Sequence, residues 1–394
     1  MPAAPMYYAS TVQACGVYPF ATGTARPVSG APLGVDLLTG TAVAMDHHQL
    51  YMEGVISSPS MFLLGLNGVG KSTTAQLMVL GQMGRGMVPA IFNPLKKGEH
   101  SPLVAKAGGV VYEFGPASKH RMNLLSDGPL GKAANQIGGE VGAELRRLAV
   151  TKAVQSARLA LSVSRGEALS DIEDTIVQTM VEDIKAREKQ PVSMHLAQMF
   201  TNPSERVMAH SGQKSVEGVH DRFARLGESL VSMLYGDLGA LLGGTESIEI
   251  DPGNRGGFCF DTSDIPASDT RMLSTAMLMS WSLGMDAIDA HWELARHEAA
   301  IAAEAAAAGE FYTPKVVWTG YTSIMDEFWY PMRAARGIVD RVDAASRTNR
   351  STGWAEMKIS HSPKDMLSLP DVDDREKARG LLELQRFAGG LHLG

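Results

Sequence analysis

The hydrophobic positions along the chain change their rhythm several times, and each change marks a different kind of element. Residues 1–59 carry only short apolar runs among Pro, Gly, Ala and Thr, with few charges. This predicts loops and short strands that pack on a core and form a flap beside whatever it binds. From Ser60 to about Asn123 compact apolar runs bounded by turn residues alternate with helical spacing, predicting strands at 61–64, 88–92 and 110–114, with a helix running to about Met83. Strand signals then vanish between 138 and 240. Ser170-Asp171-Ile172-Glu173 reads as a capping box, in which serine and glutamate satisfy free N–H groups at a helix start. Ile172, Ile176, Val177, Met180 and Ile184 follow on one face, and Gln190-Pro191 stops the run. Flanking stretches at 144–163 and 219–234 read as helices too, so 138–240 is predicted to be an all-helical insertion.

Strand character returns at 247–250 and 257–261, followed by a long helix from about Ser268 to Ala308 whose Ala-rich tail ends at Gly309. A strand ending at Met325, a helix opened by Pro331, a strand at 357–360 and a helix beyond Asp371 close the pattern. The organisation expected is therefore α/β. Residues 60–137 and 241–394 form two parts of one domain with a mainly parallel sheet, 138–240 is inserted into it, and 1–59 packs on it.

The chemistry enters at Gly65-Leu66-Asn67-Gly68-Val69-Gly70-Lys71-Ser72-Thr73, which fits G-x-x-x-x-G-K-[ST] between the first predicted strand and helix. Glycines let backbone N–H groups turn inward around phosphates, and the helix N-terminus adds partial positive charge. Gly65, Asn67, Gly68, Val69, Gly70, Lys71, Ser72 and Thr73 are thus the expected nucleotide contacts. Lys71 is expected to reach the β- and γ-phosphates, and Ser72 to ligate Mg²⁺. The predicted fold class is a RecA-like P-loop NTPase core with an inserted helical subdomain.

A phosphate loop serves kinases, GTPases and motors alike, so the partner groups decide. Tyr321-Thr322-Ser323-Ile324-Met325 delivers Asp326 and Glu327 to the end of a second strand. Asp326 is the expected metal ligand, and Glu327 the base that polarises an attacking water. Arg347 and Arg350 stand in the polar loop 346–351, past the arginine-bearing helix, and are the guanidiniums best placed to spread over charge on a γ-phosphate. With no obvious phosphate partner in their own subunit, they imply a homo-oligomeric ring. Ser360 and His361 end the strand at 357–360, where a RecA-like sheet carries its polar phosphate sensor.

Composition narrows the setting. With 394 residues, 44% of them hydrophobic, the chain can bury a substantial core. A net charge of −7 does not announce nucleic-acid binding. Cys15 and Cys259 lie far apart without metal-ligand spacing. The N-terminus lacks a signal-peptide pattern, and the longest uncharged apolar stretch, 272–285, is too short to span a bilayer. A cytoplasmic protein is expected, reaching the inner face of a membrane only through partners.

Several ordered segments resemble the C-terminal ATPase domain of the large type IV secretion and conjugation ATPases, within the HerA–FtsK class of P-loop motors. Similar segments are Ser10–Cys15, Tyr18-Pro19-Phe20 and Leu33–Asp36, then the loop itself. Phe92–Glu99 resembles the family's Asp-Pro-Lys-Gly-Glu-Tyr turn, and Met122–Leu125 its Asn-Pro-Leu turn. Gly236–Gly239 and Phe258–Asp261 follow, then Met325-Asp326-Glu327-Phe328-Trp329 beside the family's Asp-Glu-Ala-Trp, and Ile359–Asp365 beside its sensor strand. The resemblance implies a Mg²⁺-dependent ATPase, hexameric by family pattern, coupled to membrane-embedded secretion components and moving protein or DNA. Asn93 stands where the family has Asp, and two residues are added before Lys97-Gly98-Glu99, leaving Glu99 as an outer acid. The family's large N-terminal half has no counterpart, and the chain ends soon after the sensor strand, which suits a fragment, a split gene product or a degenerate version. ATP rather than GTP rests on the resemblance and on the lack of an Asn-Lys-x-Asp motif. A DNA translocase of the HerA–FtsK type and a non-hydrolysing assembly module are the alternatives; a small-molecule kinase is less favoured.

Overall fold

A computed structural model describes residues 29–37, 40–66, 68–244, 248–251, 253–333, 339, 354–362, 364–365, 369, 372–384 and 388–390. Its centre is a seven-stranded parallel sheet. The chain first makes a small antiparallel hairpin, β1 (Pro32–Val35) and β2 (Ala42–Ala44), and then enters the sheet through β3 (Ser60–Leu64). It continues through β4 (Val88–Phe92), β5 (Val110–Glu113), β6 (Phe258–Asp261), β7 (Tyr321–Met325), β8 (Ala355–Ser360) and β9 (Ala388–Gly390). The spatial order is β5-β6-β4-β7-β8-β3-β9, and every neighbouring pair runs parallel.

Parallel strands are covered on both faces, and their alternate side chains sort between two cores. Met61, Leu63, Ile91, Cys259, Ile324, Met357 and Ile359 point to one face, where they meet Ala75, Met78 and Val79 of α1 (Lys71–Met83). Phe62, Ala90, Phe92, Phe258, Phe260, Tyr321 and Met325 point to the other. That second face is covered by a helical block and by the long helix that follows β6. The block includes α2 (Gly128–Ile137), α3 (Gly139–Arg165), α4 (Asp171–Arg187) and α5 (Ala224–Tyr235). It ends in a short helix, Gly239–Leu242, and α6 (Thr270–Ala307) follows β6. Gly284 of α6 sits over the aromatic face: a Cβ there would lie 2.4 Å from a Phe92 ring carbon, so glycine lets helix and sheet approach this closely.

Most predicted elements recur with adjusted bounds. Helix begins at Gly128 rather than 138, and the single helix expected over 219–234 is two, Val216–Arg222 and α5, separated at Phe223. The expected strand at 247–250 is not found in its described part: residues 248–250 form no ladder, and Ile248 N–H instead donates to the Arg121 carbonyl. Pro331 opens a 3₁₀ turn, Pro331–Arg333. The capping box at Ser170 and Glu173 is present, and Glu173 also receives both ends of the Arg165 guanidinium at 2.9 and 3.0 Å, tying the end of α3 to the start of α4. The polar character of β7 is accommodated because its groups find partners. Thr322 bonds Gln82 of α1, Ser323 Oγ accepts from Trp354 Nε1 at 2.9 Å, and Tyr321 OH meets His291 Nδ1 at 2.9 Å. Among the described residues no helix is long and apolar enough to cross a membrane.

Candidate nucleotide and metal site

The sequence-predicted groups converge at the C-terminal ends of β3, β4, β7 and β8, the crevice where open parallel sheets bind ligands. A cavity of about 290 Å³ is lined there by Gly68, Gly70, Lys71, Ser72, Thr73, Leu95, Lys96, Glu99, Asp326, Glu327 and His361. The loop from β3 to α1 owes its shape to Gly68 and Gly70, which take φ of 82° and 90°. A Cβ at either would meet nothing within 4 Å, so the left-handed backbone, not space, is what calls for glycine. Gly70 is also the N-cap of α1, leaving the first N–H groups of that helix without a side-chain cap.

Lys71 is buried with its ammonium folded onto the loop. It donates to the carbonyls of Gly65 at 2.5 Å and Leu66 at 3.1 Å, and lies 3.3 Å from His361 Nδ1. Ser72 Oγ donates to Glu99 Oε1 at 2.5 Å. Asp326 and Glu327 leave β7 in a turn in which the Glu327 N–H donates to Asp326 Oδ1 at 3.0 Å. Glu327 has φ of 46°, a left-handed backbone that costs a non-glycine residue about 1–2 kcal/mol. The Phe328 N–H anchors the turn on the Ile359 carbonyl of β8 at 3.2 Å. Glu327 Oε1 lies 3.0 Å from His361 Nε2, and Oε2 accepts from Trp329 Nε1 at 2.7 Å.

Three carboxylates crowd this end of the sheet. Burial, then Glu327 and Glu99, push the Asp326 carboxyl up to about 7. Glu99, His100 and Asp326 offer ligand atoms within 4.8 Å of one another, beside the Ser72 hydroxyl. A divalent cation fits such a concentration of negative charge next to a hydroxyl, since it would offset both the burial and the repulsion that raise Asp326. His100 is fully buried, with Nε2 at 3.9 Å from Asp326 Oδ2 and Nδ1 at 3.4 Å from the Gln76 amide. Burial holds its basicity down, against the opposing pull of Glu99.

The remaining expected residues fall elsewhere. Ser360 is buried and donates to Asp365 Oδ2 at 3.1 Å, shaping the turn after β8 without lining the cavity. Asn93 is buried, with φ of 58° and its amide donating to the Met277 carbonyl at 3.4 Å, so it faces α6. Gly65 and Val69 belong to the loop around the cavity but not to its lining. Asn67, Arg347 and Arg350 lie outside the described residues. Glu99, given only an outer role from sequence, touches Ser72 directly; His100, Gln76 and Trp329 were missed. Trp329 did carry a signal, the aromatic two places after the Asp-Glu pair. His100 and Gln76 carried none, because only the packing of 99–101 against α1 brings them together.

The architecture and the loop define a RecA-like P-loop fold. No family model and no curated protein matches the sequence. Among solved structures, VirB4 of Thermoanaerobacter pseudethanolicus aligns with a TM-score of 0.62 at 17% identity, over 94% of this chain and 86% of that one. The plasmid coupling protein TrwB, in complex with ADP and Mg²⁺, aligns with a TM-score of 0.48 at 14% identity, over 91% and 75%. The alignment with VirB4, at 17% identity, shows a shared fold.

Proposed function

We propose that this chain binds ATP with Mg²⁺ and hydrolyses it as the motor of a type IV secretion or conjugative transfer apparatus. The observation that carries the reading is the single cavity joining Lys71, Ser72, Asp326, Glu327 and His361 at the ends of neighbouring strands. Ser72 and Asp326 would hold Mg²⁺, whose chemistry is to neutralise charge building on the phosphates. Lys71 trades its loop carbonyls for phosphate oxygens, and the uncapped N-terminus of α1 adds N–H donors. Glu327 accepts a proton from the attacking water. Arg347 and Arg350 are proposed to act on the γ-phosphate of a neighbouring subunit, which makes the working form a ring, hexameric by family resemblance. Membrane-embedded partners and a protein or DNA cargo belong to the same proposal.

The test is phosphate release with Mg²⁺-ATP at several protein concentrations, alongside Lys71→Ala. Release that rises more than in proportion to concentration, and falls at least about 100-fold in the variant, supports a ring ATPase with shared sites. Binding of ATP without release at any concentration would sink the motor reading and leave an assembly module.

A further inference from the structure

We propose that Glu327 is held by one permanent hydrogen bond from Trp329 and one releasable polar contact with His361, and that His361 lets go when phosphate draws Lys71 away. The proposal rests on the ATP reading above and adds how the base of that site is switched.

A lysine ammonium has three hydrogens, and Lys71 has an acceptor for each: Gly65 O, Leu66 O and His361 Nδ1. Because Nδ1 accepts, the proton of a neutral His361 is assigned to Nε2, the nitrogen 3.0 Å from Glu327 Oε1. Lys71, His361 and Glu327 are therefore linked in series, the first pair by a hydrogen bond at 3.3 Å and the second by a close polar contact at 3.0 Å. The other carboxylate oxygen takes the Trp329 indole N–H at 2.7 Å. Each oxygen of Glu327 thus has one polar neighbour, so in this arrangement two side chains fix where the carboxylate points.

The two restraints differ in what secures them. Trp329 lies two residues along the same turn, so it travels with Glu327. His361 comes from the end of β8, and Lys71 is what fixes its far nitrogen. Phosphate oxygens in the cavity compete for the Lys71 ammonium as charge-assisted acceptors. Once Lys71 turns to them, Nδ1 loses its donor and the ring is free to offer its Nε2–H to phosphate as well. Glu327 Oε1 is then exposed to water while Trp329 keeps the carboxylate aimed. No covalent step is involved, only an exchange of polar contacts.

Indole emission reports the exchange, because the Trp329 N–H sits on the carboxylate whose partners change. The chain has five tryptophans, so the Trp329 component is taken as the difference between the unaltered protein and Trp329→Phe. Binding of a non-hydrolysable ATP analogue is followed on the same samples by calorimetry. The expected result is a shift of the Trp329 component on binding, a component already shifted before binding in His361→Ala, and a restored response in His361→Gln. The glutamine amide has an oxygen to accept from Lys71 and an N–H₂ to turn towards Glu327, in place of the two imidazole nitrogens. Trp329→Phe should lower kcat about tenfold while changing KM by less than about threefold, the split expected when an interaction acts on the transition state. Analogue binding that leaves the Trp329 component unmoved, or moves it equally in His361→Ala, overturns the switch while the ATP reading stands. Absence of binding overturns both.

Discussion

The helical block and the cavity end of the sheet are built by opposite rules. Where α3 meets α4 in the block, local preferences and tertiary contacts agree. Ser170 caps α4, Glu173 completes the box, and Arg165 meets that same glutamate through both its nitrogens. At the cavity end they conflict. Among the described residues the only two non-glycine positions with positive φ are Asn93 and Glu327, and they follow the adjacent strands β4 and β7. Three carboxylates lie close together, and His100 Nε2 and the Asn93 amide oxygen are buried without hydrogen-bond partners. Such conflicts persist where surrounding structure enforces them, and they concentrate at sites that do chemistry. Composition alone would not separate the two regions.

The sharpest way to break this contrast is Glu327→Gln, which keeps shape but removes the proposed base. Phosphate release should fall about 100- to 1,000-fold, with the thermal midpoint unchanged within about 2 °C. Arg165→Ala should do the reverse, since it strands a mostly buried carboxylate and should cost about 3 kcal/mol in chemical denaturation. Turnover per folded molecule should stay near that of the unaltered protein.

Acid should find the same point in the block. Burial alone would raise the Glu173 carboxyl, but bonds from Arg165 and Ser170 outweigh it and bring it down to about 2. A folded-state value below the ordinary 4.5 stabilises above pH 4.5, and that stabilisation is lost as pH falls from 4.5 towards 2. Allowing for solvent screening, about 2 kcal/mol should disappear over that window, and Glu173→Gln should flatten the pH dependence of the denaturation midpoint. Ser170→Ala is the smallest expected effect, about 1 kcal/mol by the same denaturation measurement.

What could be read from sequence follows the same division. The phosphate loop, the Asp326-Glu327 pair and His361 were legible because each sits in a short segment whose pattern also announces a strand end. The contact of Glu99 with Ser72, the burial of His100 and the indole bond to Glu327 depend on how separate segments dock, which local pattern does not encode. Periodicity found the long helices but ran through Phe223, where one apolar face continues although the helix does not. It also made a strand of 247–250, whose described residues 248–250 pair with no strand among the described residues. The brief β9 escaped notice because Ala-Gly-Gly carries almost no strand preference.

The strand order also sets a timetable for the chain as it is made. The loop lysine and the histidine beside it are 290 residues apart, and β3 gains its β8 neighbour only when that late segment arrives. At about 5–20 residues per second, a ribosome needs on the order of 15–60 seconds to supply the second half of the cavity after the first. During that interval β3 lacks both its flanking strands, and its row of backbone groups and apolar side chains needs other cover. A nascent chain of this protein therefore carries a recognisable phosphate loop long before it has a complete site in which to use it.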